Sequence, residues 1–325
     1  MTTAESTLRI VAAGLTPAWQ HILSFDQVRI GEVNRAVDSR WCGSGKVLNV
    51  GIALTRLQAG VPRSAAIRVE CRTLSLLGGP AGHAIEAEFA ALGVDRRWIE
   101  SEAPTRVCTT VLDRAAGTTT ELVENAAAVT DIELDTFRRS FQDEAAHADV
   151  VVLTGSLPAG APATFYRELL EMTSAKAVLD CRGPELLAAL ERKPLFVKPN
   201  RDELARTVGR SIDDDAQLYA AMHELNERGA EWVVVSAGAG AVSVTHAGRL
   251  YQLTPPAASQ AVNPIGSGDC LAAGLALGAA TGLAPVDAIR WGIAAAVDNV
   301  NELLPARINA ARVATLFQSI TMEEK

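Results

Sequence analysis

A doubly wound α/β fold, built on a mainly parallel sheet flanked by helices, is predicted by three features of this 325-residue sequence. Short, almost wholly apolar runs recur along it, amphipathic stretches of helical length separate them, and glycine-rich turns follow several of the runs. Strands covered on both faces read as continuous apolar segments because neither face meets water, and parallel pairing needs helical crossovers between them.

In order, the strand runs lie at residues 8–13, 73–77, 150–154, 177–180, 195–197 and 232–236, with helical stretches at 47–57, 84–92, 164–172, 185–190 and 216–228. The last part reads as helix, at 270–280, 285–300 and 310–320. Residues 27–41 and 105–122 break the rhythm, since polar and apolar residues alternate there without helical period, as in one-sided antiparallel strands. Both insert between core units. They predict a small antiparallel β lid, formed from about residues 16–41 and 105–124, over the carboxyl edge of the main sheet; surface hairpins are the other arrangement the pattern allows. With no repeat, low-complexity tract or linker, a single domain spanning 1–325 is expected.

A composition of 48% hydrophobic and 21% charged residues supports a sizeable core, and the net charge of −8 argues against a nucleic-acid or anionic-membrane partner. Five widely spaced cysteines, Cys42, Cys71, Cys108, Cys181 and Cys270, include no C-x-x-C pair and fit reduced thiols rather than a disulfide framework or zinc site. Residues 1–6 lack a basic region leading into a long apolar stretch, and no run of about 18 apolar residues occurs. A cytoplasmic protein is expected.

Ligands of open α/β sheets gather beyond the carboxyl ends of strands, so the turns there carry the chemical signal. The strongest is Asn263-Pro264-Ile265-Gly266-Ser267-Gly268-Asp269-Cys270, which opens a helix of small residues. Converging N–H groups and the helix dipole favour a phosphate or developing anion at such a turn. Asp269 repels a resting phosphate but is suited to take a proton from a hydroxyl that attacks one.

Four other turns have two readings each. Residues 155–160 supply turn chemistry, or a substrate contact through the Ser156 hydroxyl. In Lys198-Pro199-Asn200-Arg201-Asp202-Glu203 the spacing fits a capping box, and equally an amide and carboxylate that hold a hydrated Mg²⁺. Ser236-Ala237-Gly238 makes a hairpin turn or lets a nucleotide approach closely. Gly43-Ser44-Gly45-Lys46-Val47-Leu48-Asn49 is not a phosphate loop of the Walker type, because the first glycine would fall at Arg40 and Val47 occupies the metal-binding Ser/Thr position. Lys46 and Asn49 are its polar groups.

Taken in order, Lys46 and Asn49, Thr105-Arg106, Gly155-Ser156-Leu157-Pro158, Lys198-Pro199-Asn200-x-x-Glu203, Ser236-x-Gly238 and Gly266-Ser267-Gly268-Asp269 form a series that resembles the ribokinase-like PfkB family of carbohydrate kinases. The resemblance runs from about residue 8 to residue 320 and is strongest to the branch that phosphorylates sugar phosphates: 1-phosphofructokinase, the minor 6-phosphofructokinase and tagatose-6-phosphate kinase. It implies ATP and Mg²⁺ as cofactors and a homodimer paired through the lid. Asp269 would be the base, with the N–H groups of Gly266, Ser267 and Gly268 as the anion hole. Asn200 and Glu203 would hold Mg²⁺ through water, while Lys198, Ser236, Gly238 and, on a late helix, Asn299 would border the nucleotide. Gln20, Gly45, Lys46, Asn49, Arg106 and Ser156 would face the acceptor.

Three departures from the family pattern fall on the acceptor side. Gln20 stands where the branch carries an aspartate after its Asn-Pro-Ala-x element, Val47 replaces a glycine, and Asn125-Ala126-Ala127 replaces a Pro-Gly-Pro-like segment. Phosphoryl transfer is therefore expected to be intact and the acceptor to differ. Lys46 and Arg106, as cations for a substrate phosphate, favour a small sugar phosphate; a kinase of an unphosphorylated sugar or nucleoside, and a sugar-binding sensor without turnover, are the alternatives.

Overall fold

The computed structural model describes residues 6–60 and 67–325; the reading of residues 1–5 as lacking a leader lies outside them. β1 (Ser6–Gly14) leads to β2 (Ala18–Phe25) and β3 (Asp38–Ser44), then α1 (Lys46–Gln58) and β4 (Ile67–Leu77). Next come α2 (Gly79–Leu92), β5 (Arg96–Glu100), β6 (Arg106–Asp113), β7 (Thr118–Val123) and α3 (Asp131–Ala145). The middle of the chain runs through β8 (Val150–Thr154), α4 (Phe165–Glu171), β9 (Lys176–Asp180), α5 (Gly183–Ala189), β10 (Phe196–Val197), α6 (Arg201–Val208), α7 (Asp215–Glu227) and β11 (Trp232–Val235). β12 (Val242–His246), β13 (Arg249–Thr254), α8 (Ser267–Ala280), α9 (Pro285–Val300), α10 (Ala310–Phe317) and β14 (Thr321–Glu324) complete it.

The large sheet has the order β14-β13-β12-β11-β10-β9-β8-β1-β4-β5, parallel from β5 to β11 and antiparallel beyond. Side chains alternate between two cores. Ile10 and Ala12 of β1 pack toward α1, α2, α8 and α9, while Val11 and Ala13 pack toward α3 to α7. Chain order reverses at β1, with β4 on one side and β8 on the other, and a crevice opens beyond the strand ends at such a point.

The small sheet, β3-β2-β6-β7, corrects two expectations. Its outer pairs are antiparallel, but the central pair β2–β6 is parallel. Both strands continue outward from parallel strands of the large sheet, β1 and β5, so they leave in the same sense. The strand expected over 27–41 begins only at Asp38 and is preceded by a loop, while its partner is β2. Alternation in β2 is masked in the sequence because the polar Gln20 and Ser24 are buried.

Small residues let α8 lie directly on α9. A Cβ added to Gly274 would come within 2.4 Å of the Gly292 Cα, so the helix axes would have to separate. Gly274→Ala is expected to destabilise the protein by about 1–3 kcal/mol, read as a lower urea midpoint with an unchanged slope; an unchanged midpoint would mean that the contact is not rigid.

Candidate active site

At the crevice the ends of β1, β8, β9 and β10 meet the first turns of α1 and α8. Asp180, the last residue of β9, is fully buried, and its Oδ1 accepts the Lys46 Nζ at 2.9 Å and lies 3.2 Å from the Lys198 Nζ. Lys46 opens α1 and also reaches the Glu203 Oε1 at 2.8 Å. Lys198, expected to border the nucleotide, is 3% exposed. Its Nζ stands 3.2 Å from the point that a Cβ on Gly268 would occupy, so an ammonium faces the glycine turn.

Gly266 takes the left-handed conformation (φ 84°) that turns the chain into α8. Asn263 and Asn299 brace this turn from behind: the Asn263 Oδ1 accepts the Ile265 N–H, and the Asn299 Nδ2 donates to the Ile265 carbonyl (2.8 Å) and the Ser267 Oγ (3.0 Å). The Asn299 Oδ1 accepts the Ala306 N–H at 2.7 Å. Asn299, expected to border the nucleotide, is fully buried and braces the turn in this way. The Ser267 N–H donates to the Pro264 carbonyl, whereas that of Gly268 precedes the first helical bond, from Cys270 to Gly266.

Asp269, in the first turn of α8, is 7% exposed and accepts the Asn49 Nδ2 at 2.7 Å. The Asn49 Oδ1 is buried without a hydrogen-bond partner among the described residues. Burial, then the negative charge of Asp180, pushes the Asp269 carboxyl up to about 7; Lys46, the Asn49 hydrogen bond and Lys198 oppose the rise. Burial also acts against the ionised Asp180, but Lys198 and Lys46 outweigh it and hold that carboxyl below its ordinary value. Lys46 is raised, because Asp180, Glu203 and Asp269 overcome the effect of burial.

The remaining expected residues stand around this centre. Asn200 and Glu203 form a reciprocal capping box on α6, with the Asn200 Oδ1 accepting the Glu203 N–H at 2.8 Å and the Glu203 Oε2 accepting the Asn200 N–H at 3.0 Å. Gly45 (φ 87°) starts α1 where a Cβ would press on the Thr16 carbonyl. Val47 is buried in the core, and its Cβ would lie 3.0 Å from a Cβ on Gly14. Ser156 is exposed past β8, and its carbonyl accepts the Thr16 Oγ1 at 3.1 Å. Ser236 bridges to Asn200 beyond β11, followed by the exposed turn at Gly238 (φ 58°).

Two acceptor candidates are tied into the scaffold. The Gln20 Nε2 donates to the Thr110 Oγ1 at 2.6 Å inside the small sheet. The Arg106 guanidinium donates to the carbonyls of Pro17, Glu124 and Thr16 at 3.3, 3.1 and 3.1 Å. Asp180 was not anticipated at all; its only signal was a carboxylate ending an apolar strand run at the carboxyl edge.

A carboxylate of raised pKa beside a glycine turn at a helix N-terminus, faced by a buried ammonium, is suited to phosphoryl transfer to a hydroxyl. A model of the pfkB family of carbohydrate kinases matches residues 26–304. The chain belongs to the pfkB family. It is thus an ATP-dependent carbohydrate kinase. The pfkB kinase shares its fold with phosphofructokinase-2 of Escherichia coli in its tetrameric inhibited form, at TM-score 0.82 and 22% identity over 96% of this chain and 99% of that one. A Thermotoga maritima protein described as a possible 1-phosphofructokinase superposes at TM-score 0.85, with 20% identity over 98% of this chain and 100% of that one. Escherichia coli phosphofructokinase-2 in complex with fructose-6-phosphate matches at TM-score 0.81 and 21% identity, over 96% and 98%.

Among the described residues of this pfkB kinase, no group of three or more His, Cys, Asp or Glu could hold a metal directly, and no helix is long and apolar enough to cross a membrane. Each Glu203 oxygen already accepts one hydrogen bond, which leaves lone pairs for water but argues against direct ligation. The pair therefore fits a hydrated Mg²⁺, an ion that keeps several waters.

The folded protein holds the Asp269 proton more tightly than the unfolded chain, where the carboxyl titrates near about 4. Stability from this group is complete below that value and is lost as pH rises through about 7. Asp269→Asn, neutral throughout, is expected to melt above the wild type at about pH 8, with a gap that narrows steadily between about pH 7 and 4. Calorimetric scans across that range check it, and a constant gap would place the raised pKa elsewhere.

Proposed function

We propose that this kinase transfers the γ-phosphoryl group of ATP to a hydroxyl of a small sugar phosphate, with Asp269 as the base. The observation that carries the reading is the raised pKa of Asp269 in the first turn of α8, beside the glycine turn that the Lys198 ammonium faces. As the hydroxyl oxygen bonds to the γ-phosphorus, the bond from that phosphorus to the departing ADP oxygen breaks and the hydroxyl proton passes to Asp269. The Gly266 and Gly268 N–H groups and the Lys198 ammonium offset the charge on the phosphoryl group in flight. Asn200 and Glu203 hold Mg²⁺ through water, and the ion supplies neutralisation of phosphate charge. Ser236 and Gly238 border the nucleotide, while Gln20, Gly45, Lys46, Asn49, Arg106 and Ser156 form the acceptor side.

The fructose-6-phosphate complex of the Escherichia coli neighbour supports a sugar phosphate as acceptor. One observation favours a second reading, an unphosphorylated sugar or nucleoside: Lys46 is paired with two carboxylates and Arg106 with three carbonyls. The small sheet is read as a lid on a single kinase domain. Its strands carry Trp41, Leu122 and Val123, and the loop between β2 and β3 carries Ile30, Val33 and Val37, all exposed, which supports a homodimer through that surface.

A coupled ADP-release screen with Mg-ATP against fructose 1-phosphate, fructose 6-phosphate, tagatose 6-phosphate, ribose and adenosine tests the proposal. Turnover is expected with one of the sugar phosphates; turnover with ribose or adenosine alone would establish the second reading, and binding without turnover a sensor. For the active acceptor, kcat/KM should rise with pH and level off above about 7. Asp269→Asn should lower kcat about 100-fold or more, and substantial residual turnover would remove Asp269 from the role of base.

A further inference from the structure

A second cavity lies at the opposite edge of the large sheet, at the amino ends of β9, β10 and β11. Its volume is about 570 Å³, within the size range of small-molecule sites. Leu170, Ala177, Leu195, Phe196, Ala279 and Ala288 give it an apolar floor. The charged groups at its rim are Lys176, Arg192, Lys193 and one acid, Glu231.

None of these three cations forms an ion pair among the described residues; the nearby Glu191 is taken by Arg167 at 3.1 Å. The Lys176 Nζ makes a single hydrogen bond, to the Ala279 carbonyl at 3.2 Å, and keeps two donors. In a chain of net charge −8, three cations without carboxylate partners around one apolar cavity set up a local field of the opposite sign. Such a rim and floor recognise a molecule with an anionic group at one end and an apolar body at the other. Substrates of this fold class lie at the carboxyl edge, so this is a separate site.

We propose that this cavity binds a small amphipathic organic phosphate. Arg192 presents a planar fork that matches a phosphate, Lys176 and Lys193 add point charges, and the apolar body covers Leu195 and Phe196. The cavity touches the far ends of three of the elements that carry the active centre: β9 runs from Lys176 to Asp180, β10 leads from Phe196 to Lys198, and α8 runs from Asp269 toward Ala279.

Calorimetric titration of phenyl phosphate into the full-length protein at low salt tests this. A saturable site with Kd of about 1 mM or tighter is expected. The double variant Arg192→Ala, Lys193→Asn, at two exposed positions and so without effect on the melting temperature, should weaken it about tenfold or more. Inorganic phosphate, which lacks the apolar body, should bind more weakly than phenyl phosphate. No saturable binding, equal affinity in the double variant, or equal affinity for inorganic phosphate would each overturn the assignment.

Discussion

The pairing of one fully buried carboxylate, Asp180, with two ammonium groups is the interaction on which the candidate site depends. An isolated buried carboxylate is costly, so Asp180 is tenable as an ion only while Lys46 and Lys198 stand beside it. Those lysines come from the first turn of α1 and from the residue after β10, and they meet only when the parallel sheet has formed. With Glu203 included, two positive and two negative charges balance before Asp269 ionises. Asp269 is the surplus carboxylate. Burial first, and then the charge of Asp180, holds its proton to near neutrality against the pull of the two lysines.

The surrounding backbone follows from bringing these charges together. At the reversal of strand order the ends of β1 and β8 approach so closely that a Cβ on Gly14 would stand 2.3 Å from the Thr154 carbonyl. No side chain fits between them. The same closeness explains why α8 is made of small residues: its first turn must reach the crevice while its body lies flat on α9. Asn263 and Asn299 then fix the glycine turn through the Ile265 N–H, the Ile265 carbonyl and the Ser267 hydroxyl.

Much of this was legible in the sequence where a local pattern has one cause. Parallel strands reveal themselves because burial on both faces leaves only apolar residues, and the turn before Asp269 does so because glycine, serine and helix start coincide. The small sheet was harder to read, since Gln20 and Ser24 are polar yet inward and cancel the alternation of β2. Asp180 and Lys198 were obscured by another rule: an aspartate ending a strand suits a turn, and a lysine usually belongs to the surface. Their burial is a property of the assembled cluster, which no local window contains. Asn200 and Glu203 satisfy two readings at once, because a carboxylate can close a capping box with one oxygen and receive Lys46 with the other.

On the proposed reading, the transfer groups lie on the large sheet and its helices, while two acceptor candidates, Gln20 and Arg106, lie on the small sheet. Transfer groups sit on strand ends and helix starts of the large sheet, where each buried charge needs the others and a substitution would leave one unpaired. Gln20 and Arg106 are held by the Thr110 hydroxyl and by backbone carbonyls, whereas the acceptor candidates Lys46 and Asn49 belong to the charged centre itself. Exchanging a neutral partner costs far less than stranding a buried ion. The departure at Gln20 is therefore the kind that a scaffold absorbs cheaply, and Val47, on α1, is buried in the core with its Cβ close to Gly14.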